Sequence, residues 1–275
     1  MNKKVSDKIL YTAICAVSFI TIAILFWIVG YVTMKGLPNI NWGFLTSEYR
    51  GDSTGIFPMM ITTIYIIALS LALSAPIGIF SAIYLVEYSK PGKVVNIIKF
   101  SIETLAGIPS IIYGLFGYMF FVIALGFKMS LLSGALTLSI MVLPTIIRTT
   151  EEALKSVPKS YREGSLALGA TKLTTIIKIV LPSAIPGILA SVILSMGRIV
   201  GETAAVYFTA GMATRIPKIM ESGRTLSVHL YMLAHEGISF EQAFATATVL
   251  LIIIATLNFV AGKIASNIKR LTTGA

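Results

Sequence analysis

Apolar residues in this chain come in long unbroken runs, not in the one-faced stripes of a soluble helix. Between consecutive charged side chains, uncharged stretches cover residues 9–34, 53–86, 104–127, 129–147, 179–197 and 242–262. Each is close to or above the ~20 residues a helix needs to cross hydrocarbon. The pattern predicts an all-α polytopic membrane protein with about six transmembrane helices. The second run is long for one span, and Pro76, lacking an amide donor, predicts a kink within it. Only Lys128 separates the third and fourth runs, so a tight turn over residues 126–130 must join antiparallel neighbours. Gly107, Pro109, Gly114 and Gly117 in span three permit close helix approach or local unwinding, and close packing is the favoured expectation.

The same pattern divides the chain. Residues 1–56 hold the first span and an external loop, whose Gly, Pro, Asn and Ser predict turns and a short surface helix. Residues 57–265 form the membrane core, and residues 266–275 a cytoplasmic tail. The long polar connection, residues 148–178, stands out because links in helical bundles are usually short. It predicts two short surface helices, one before Pro158 and one beginning near Ser160.

Composition sharpens the class. The chain is 56% hydrophobic and 12% charged, against about a quarter charged in a soluble domain. Its net charge of +10 would suit nucleic acid, but the basic residues are sorted by side. Most lie at the two termini and in residues 90–99 and 148–178. The tendency of Lys and Arg to stay inside puts both termini in the cytoplasm and accounts for the excess without nucleic acid. Lys3, Lys4 and Lys8 before an apolar run resemble a secretory signal, yet the run is too long for one and reads as a retained span. The lone Cys15 allows neither an internal disulfide nor a cysteine metal site. His229 and His235, without a third ligand, read as surface residues of the external segment, and no metal is expected. The sequence contains no phosphate-loop motif G-x-x-x-x-G-K-[ST] and no arrangement of nucleophile, base and oxyanion donor, so no enzyme activity is expected.

One pair of charges interrupts an apolar run. Arg198 lies between residues 182 and 211 with Glu202 four positions on, which on a continuous helix shares its face. A central Arg costs roughly 2.5–3.5 kcal/mol to insert, so it faces a cavity or a partner. The pair reads either as a structural ion pair or as a guanidinium meeting an anion, with Glu202 orienting it. The second is favoured, because the planar fork suits two phosphate oxygens and stays charged at any working pH. Arg148 reads equally as an inside anchor or as a relay point. Glu103 is expected at the N-terminus of span three, where the helix dipole favours a carboxylate. Gly197 and Gly201 are expected to form a helix contact.

Residues 163–182 carry a recognisable spacing: Glu163-Gly164-Ser165, three residues, Gly169, nine residues, then Ile179-Val180-Leu181-Pro182. This resembles the EAA signature of binding-protein-dependent ABC importer permeases, with Gly164-Ser165 replacing two alanines. The runs IETLAGIPS (102–110), RTTEEAL (148–154) and GRIVGETA (197–204) are similar to the membrane subunits of phosphate-specific importers, and RTTEEAL with GIFP (55–58) favours the A-type over the paralogous C-type. The resemblance implies a type I importer permease of MetI-like architecture in a bacterial or archaeal cytoplasmic membrane. It implies a C-type second permease, two copies of a cytoplasmic ATPase, an extracytoplasmic phosphate-binding protein, and inorganic phosphate as cargo. No cofactor is expected on this chain; ATP and Mg are used by the ATPase. Arg148, Arg198, Glu202 and Thr203 would line the substrate path. Glu163, Gly164, Ser165, Gly169, Leu181 and Pro182 would be gripped by the ATPase. The rival readings are a permease for sulfate or molybdate, the C-type paralogue, or a passive anion channel, which would need the arginines but not the long loop.

Overall fold

Helix α6 (Leu131–Ser156) is the axis of the fold, with Leu138, Met141, Val142 and Ile146 wholly buried between its neighbours. The computed structural model describes residues 3–50 and 53–273. Before α6 come α1 (Lys3–Gly36), the short α2 (Trp42–Thr46), a minimal hairpin of β1 (Tyr49–Arg50) and β2 (Ser53–Thr54), α3 (Phe57–Ile83), α4 (Lys93–Ala106) and α5 (Ser110–Gly117). After it come α7 (Lys159–Ala167), α8 (Lys172–Thr175), α9 (Leu181–Val200), α10 (Ala204–Thr209), α11 (Leu226–His235) and α12 (Phe240–Thr273). Among the described residues, five stretches are long and apolar enough to span a membrane, and the bent pair of α4 with the segment from Ser110 to Ala124 makes a sixth when counted as one broken span.

Small and hydroxyl residues let these helices approach. α6 packs between α3 and α9. Ser139 Oγ donates to the Ser70 carbonyl at 3.0 Å, tying α6 to α3. Thr150 and Ser191 hydroxyls meet at 3.2 Å, tying α6 to α9. In α5, an added Cβ at Gly117 would overlap the Thr137 hydroxyl, and at Gly114 it would press on Ala205. One buried cluster gathers Ile56, Met59, Leu138, Met141 and Leu226, and a second joins Ala82, Leu85, Leu154, Val157 and Val180 towards the other end of α6.

At its N-terminus α6 has no amide left over. Ser130 N–H donates to the Thr209 carbonyl, Leu131 N–H to Glu221, Leu132 N–H to Ile219, and Gly134 N–H to Ser130. Ser133 N–H is capped by the Ser130 hydroxyl.

The structure corrects several expectations. α3 carries Pro76 within it, and beyond it residues Tyr84–Tyr88 widen into a π turn that the sequence did not announce. The helical stretch before Pro158 is α6 itself, continuing to Ser156, so the connection carries α7 and the four-residue α8 instead of two separate surface helices. Span three is broken, with α4 and α5 meeting at 102° over Gly107 to Pro109. Glu103 thus sits in the last turn of α4, where the helix dipole does not favour it. The expected helix α2 is present, capped by Asn41, whose side chain accepts from Phe44 N–H at 2.7 Å.

Candidate functional site

Two interrupted spans meet around Arg198. α9 ends at Val200, and Gly201 to Thr203 separate it from α10. Because Ser191 lies level with Thr150, the register of these antiparallel helices sets Arg198 seven residues, about 10 Å, along α9 from that level, opposite the middle of α6. The second break lies in span three, where Pro109 has no amide and the chain turns. There the Tyr113 hydroxyl donates to the Leu105 carbonyl at 2.7 Å, which also accepts from Ile108 N–H, so α5 is tied back to the last turn of α4. Arg198 is close enough to Tyr113 for its charge to act on the phenol. The guanidinium itself is half-buried and makes no hydrogen bond or ion pair among the described residues.

Glu202 does not pair with Arg198. With the helix ended at Val200, spacing by four no longer puts them on one face. Glu202 Oε1 instead accepts from Ala205 N–H at 3.1 Å, capping α10, while its carbonyl accepts from the Ser227 hydroxyl at 2.8 Å. The structural ion pair is therefore absent, and the carboxylate is engaged by one amide, that of Ala205, in the first turn of α10. Thr203 is half-buried in the break, its hydroxyl 3.5 Å from the Gly201 carbonyl. Gly197 and Gly201 make no close contact with another helix in this chain, contrary to the expected packing pair.

Arg148 lies about 8 Å further along α6 than the level of Arg198. It donates to Glu103 Oε1 at 3.1 Å, both side chains being well exposed. With Lys99, Glu151, Glu152 and Lys155 they line a cleft of about 280 Å³. Glu151 accepts from Lys155 at 2.7 Å and lies 3.4 Å from Lys99, so the cleft is internally neutralised.

The loop residues fall into two groups. Gly164, Ser165 and Pro182 line one cleft of about 760 Å³ with Leu168, Ala170 and Ile179, whereas Leu181 packs inward on the second buried cluster. The Ser165 and Thr175 hydroxyls meet at 2.9 Å, joining α7 to α8. Gly169 turns the chain at φ +84°, a conformation glycine adopts freely. Glu163 is exposed with no hydrogen bond or ion pair among the described residues, and Leu168, which follows α7, is 91% exposed.

Two features escaped the sequence reading. His229 is fully buried, not a surface residue: Arg224 Nη1 lies 3.3 Å from its Nδ1, Tyr49 packs edge-on at 5.1 Å, and its Nε2 has no partner. Its spacing from Leu226 and Leu233, three and four, was the available signal. The other is Arg162, which bonds Glu87 across 75 positions, a distance over which no local pattern could have paired them.

Broken spans around an intramembrane cation, with a polar loop presenting an open apolar tip, define a membrane translocation subunit with the MetI-like permease fold. The chain belongs to the family described as binding-protein-dependent transport system inner membrane component, whose model matches residues 74–272. It is accordingly a multi-pass inner-membrane permease of the ABC importer class. It is 32% identical to the probable ABC transporter permease protein YqgI of Bacillus subtilis (strain 168), over 94% of each chain. It is 31% identical to phosphate transport system permease protein PstA 1 of Mycobacterium tuberculosis (strain CDC 1551 / Oshkosh), over 96% of this chain and 90% of the relative. Its fold is similar to that of the inward-facing MetNI methionine ABC transporter, with a TM-score of 0.60 and 20% identity over 78% of this chain and 94% of the other.

Proposed function

We propose that this chain is the A-type permease of an ATP-driven importer of inorganic phosphate, forming half of the path and working with a C-type permease, two ATPases and an extracytoplasmic phosphate-binding protein. The observation that carries the substrate is Arg198, a guanidinium with no counter-ion among the described residues, at the junction of two broken spans. Discontinuous spans near the bilayer centre are where transporters place substrate sites, because only there does backbone leave the helix ladder. Several relatives, PstA 1 of Mycobacterium tuberculosis among them, are named as phosphate permeases. Glu202, engaged as a cap, leaves the guanidinium free for the anion. Thr203 offers a hydroxyl beside it. Arg148, exposed and held by Glu103, then receives phosphate on the cytoplasmic side, its ion pair loose enough to exchange for the anion.

Residues 148–178 couple this path to the ATPases, which bring ATP and Mg. Glu163, Gly164, Ser165, Gly169 and Leu168 form the gripped surface, and Leu181 with Pro182 passes its motion to α9. Uptake of labelled phosphate by the assembled importer tests the reading. Excess phosphate should suppress it and excess sulfate or molybdate should not. Suppression by sulfate at equal concentration would reassign the substrate, and uptake without ATP would replace the importer with a channel.

A further inference from the structure

The coupling loop is held by more than the two helices it joins. Arg162, on α7, inserts its guanidinium between three elements. Nε and Nη2 donate to Glu87 Oε1 at 3.1 and 2.7 Å, Nη2 also to the Leu154 carbonyl at 2.8 Å, and Nη1 to the Val157 carbonyl at 2.8 Å. Glu87 belongs to the π turn that ends α3, and the two side chains are only 8% and 20% exposed. The next residue, Tyr88, holds the other arm of the loop: Lys172 Nζ of α8 lies over its ring, 5.0 Å from the centroid. Leu85 of the same turn is buried against Leu154, Val157 and Val180. Consecutive residues of one turn thus grip the loop on both sides of Gly169.

We propose that Glu87 and Tyr88 make α3 a third strut of the coupling loop, so that a push on α7 moves span two together with spans four and five. The chemistry fits a rigid link. A charge-assisted bond to a mostly buried carboxylate is short and directional, and the remaining donors are fixed by the carbonyls that end α6. The π turn is where such a strut would attach, because its wider winding resets the phase of the chain beyond Tyr84 and so aims Glu87 and Tyr88 at the loop. α3 runs beside α6 as far as the outer buried cluster, so motion at Glu87 reaches the opposite end of the bundle. Glu87 and Arg162 are positioning residues, touching neither substrate nor nucleotide.

The proposal rests on reading residues 148–178 as the segment the ATPases grip, and the test separates the two. The full complex, with second permease, ATPases and binding protein, is reconstituted with spin labels at Tyr84→Cys and Ser160→Cys in a Cys15→Ser background. The strut predicts one label distance with and without ATP; a change on ATP binding in this complex overturns it. Adding Glu87→Gln should make the distance depend on ATP, and an unchanged distance there also counts against the strut. Phosphate carried per ATP hydrolysed should fall about tenfold in Glu87→Gln and in Arg162→Met, with the double variant no worse than either, the mark of one shared interaction. Unaltered ratios, or losses that multiply, refute it. Tyr88→Leu, which spares the buried pair, should show a smaller loss in the same ratio and stands in if the charge variants fail to assemble. Failure of the ATPases to co-purify with the unaltered chain would overturn the loop reading and the strut with it. The distance measurement needs no transported substrate, so it stands whether or not phosphate is the cargo.

Discussion

A guanidinium opposite the middle of α6, with no carboxylate partner among the described residues, has donors that an oxyanion could fill with two parallel bonds. Arg198→Gln removes the charge and keeps the polar bulk. Uptake should fall about 30-fold or more, corresponding to the roughly 2 kcal/mol lower bound for losing one side of a desolvated charge pair. Co-purification with the partner subunits should persist; normal uptake in the variant would exclude Arg198 from the path. His229 makes a different prediction. Burial first, and then the neighbouring Arg224, push its imidazole down from the ordinary 6.5 to about 3, so the folded chain keeps it neutral. Between those values the unfolded chain binds the extra proton. The stability it contributes is whole above about pH 6.5 and drains away as the pH falls towards 3. Melting of the detergent-solubilised protein should lose less stability on acidification in His229→Asn, and parallel slopes would contradict this. Arg198 was legible because a charge in an apolar run cannot hide. The role of Glu202 was not, since neither Gly201 nor its neighbours forbids a continuing helix and the break depends on tertiary partners such as Ser227.

At the scale of elements, the loop separates two glycines that look alike in sequence. Gly164 sits inside α7 with open space where a side chain would go. Gly164→Ala should therefore stabilise α7 by about 1 kcal/mol and leave coupling intact. Gly169 also has open space, but its φ of +84° is costly for any other residue. Gly169→Ala should strain the turn by roughly 1–2 kcal/mol and lower the transport obtained per ATP. Equal effects from the two substitutions would show that backbone conformation is not what the signature protects. In α5, Gly117→Ala should cost about 1–3 kcal/mol, because the added methyl must displace Thr137 or Thr209. A melting temperature equal to that of the unaltered protein would mean that the helices part without penalty. The loop could be read from its length and polarity, but the left-handed turn at Gly169 could not. The bend of span three could not: Gly107 and Pro109 were visible, but packing and unwinding both use them, and only the contact of α5 with α10 decides between the two.

For the whole molecule, the six spans followed directly from uncharged runs of membrane length. Helix neighbours, apart from the pair joined by the tight turn at residues 126–130, did not, because serine and threonine hydroxyls that join helices look the same in sequence as those bonded back to their own turn. The sorting of basic residues makes an orientation prediction: reporters fused to either end should be active in the cytoplasm, and an external signal from either would reverse the assignment of every loop. The closed N-terminus of α6 carries a further consequence. A bare helix start is a natural anion cradle, with several amides aimed at one point and a positive dipole behind them. Here carbonyls of residues 209, 219 and 221 fill those amides before any ion arrives. On the proposed route, phosphate delivered to the outer face meets no decoy there. The start of α6 thus offers that route no ready-made backbone anion site, and any hold on the cargo at that end has to come from side chains.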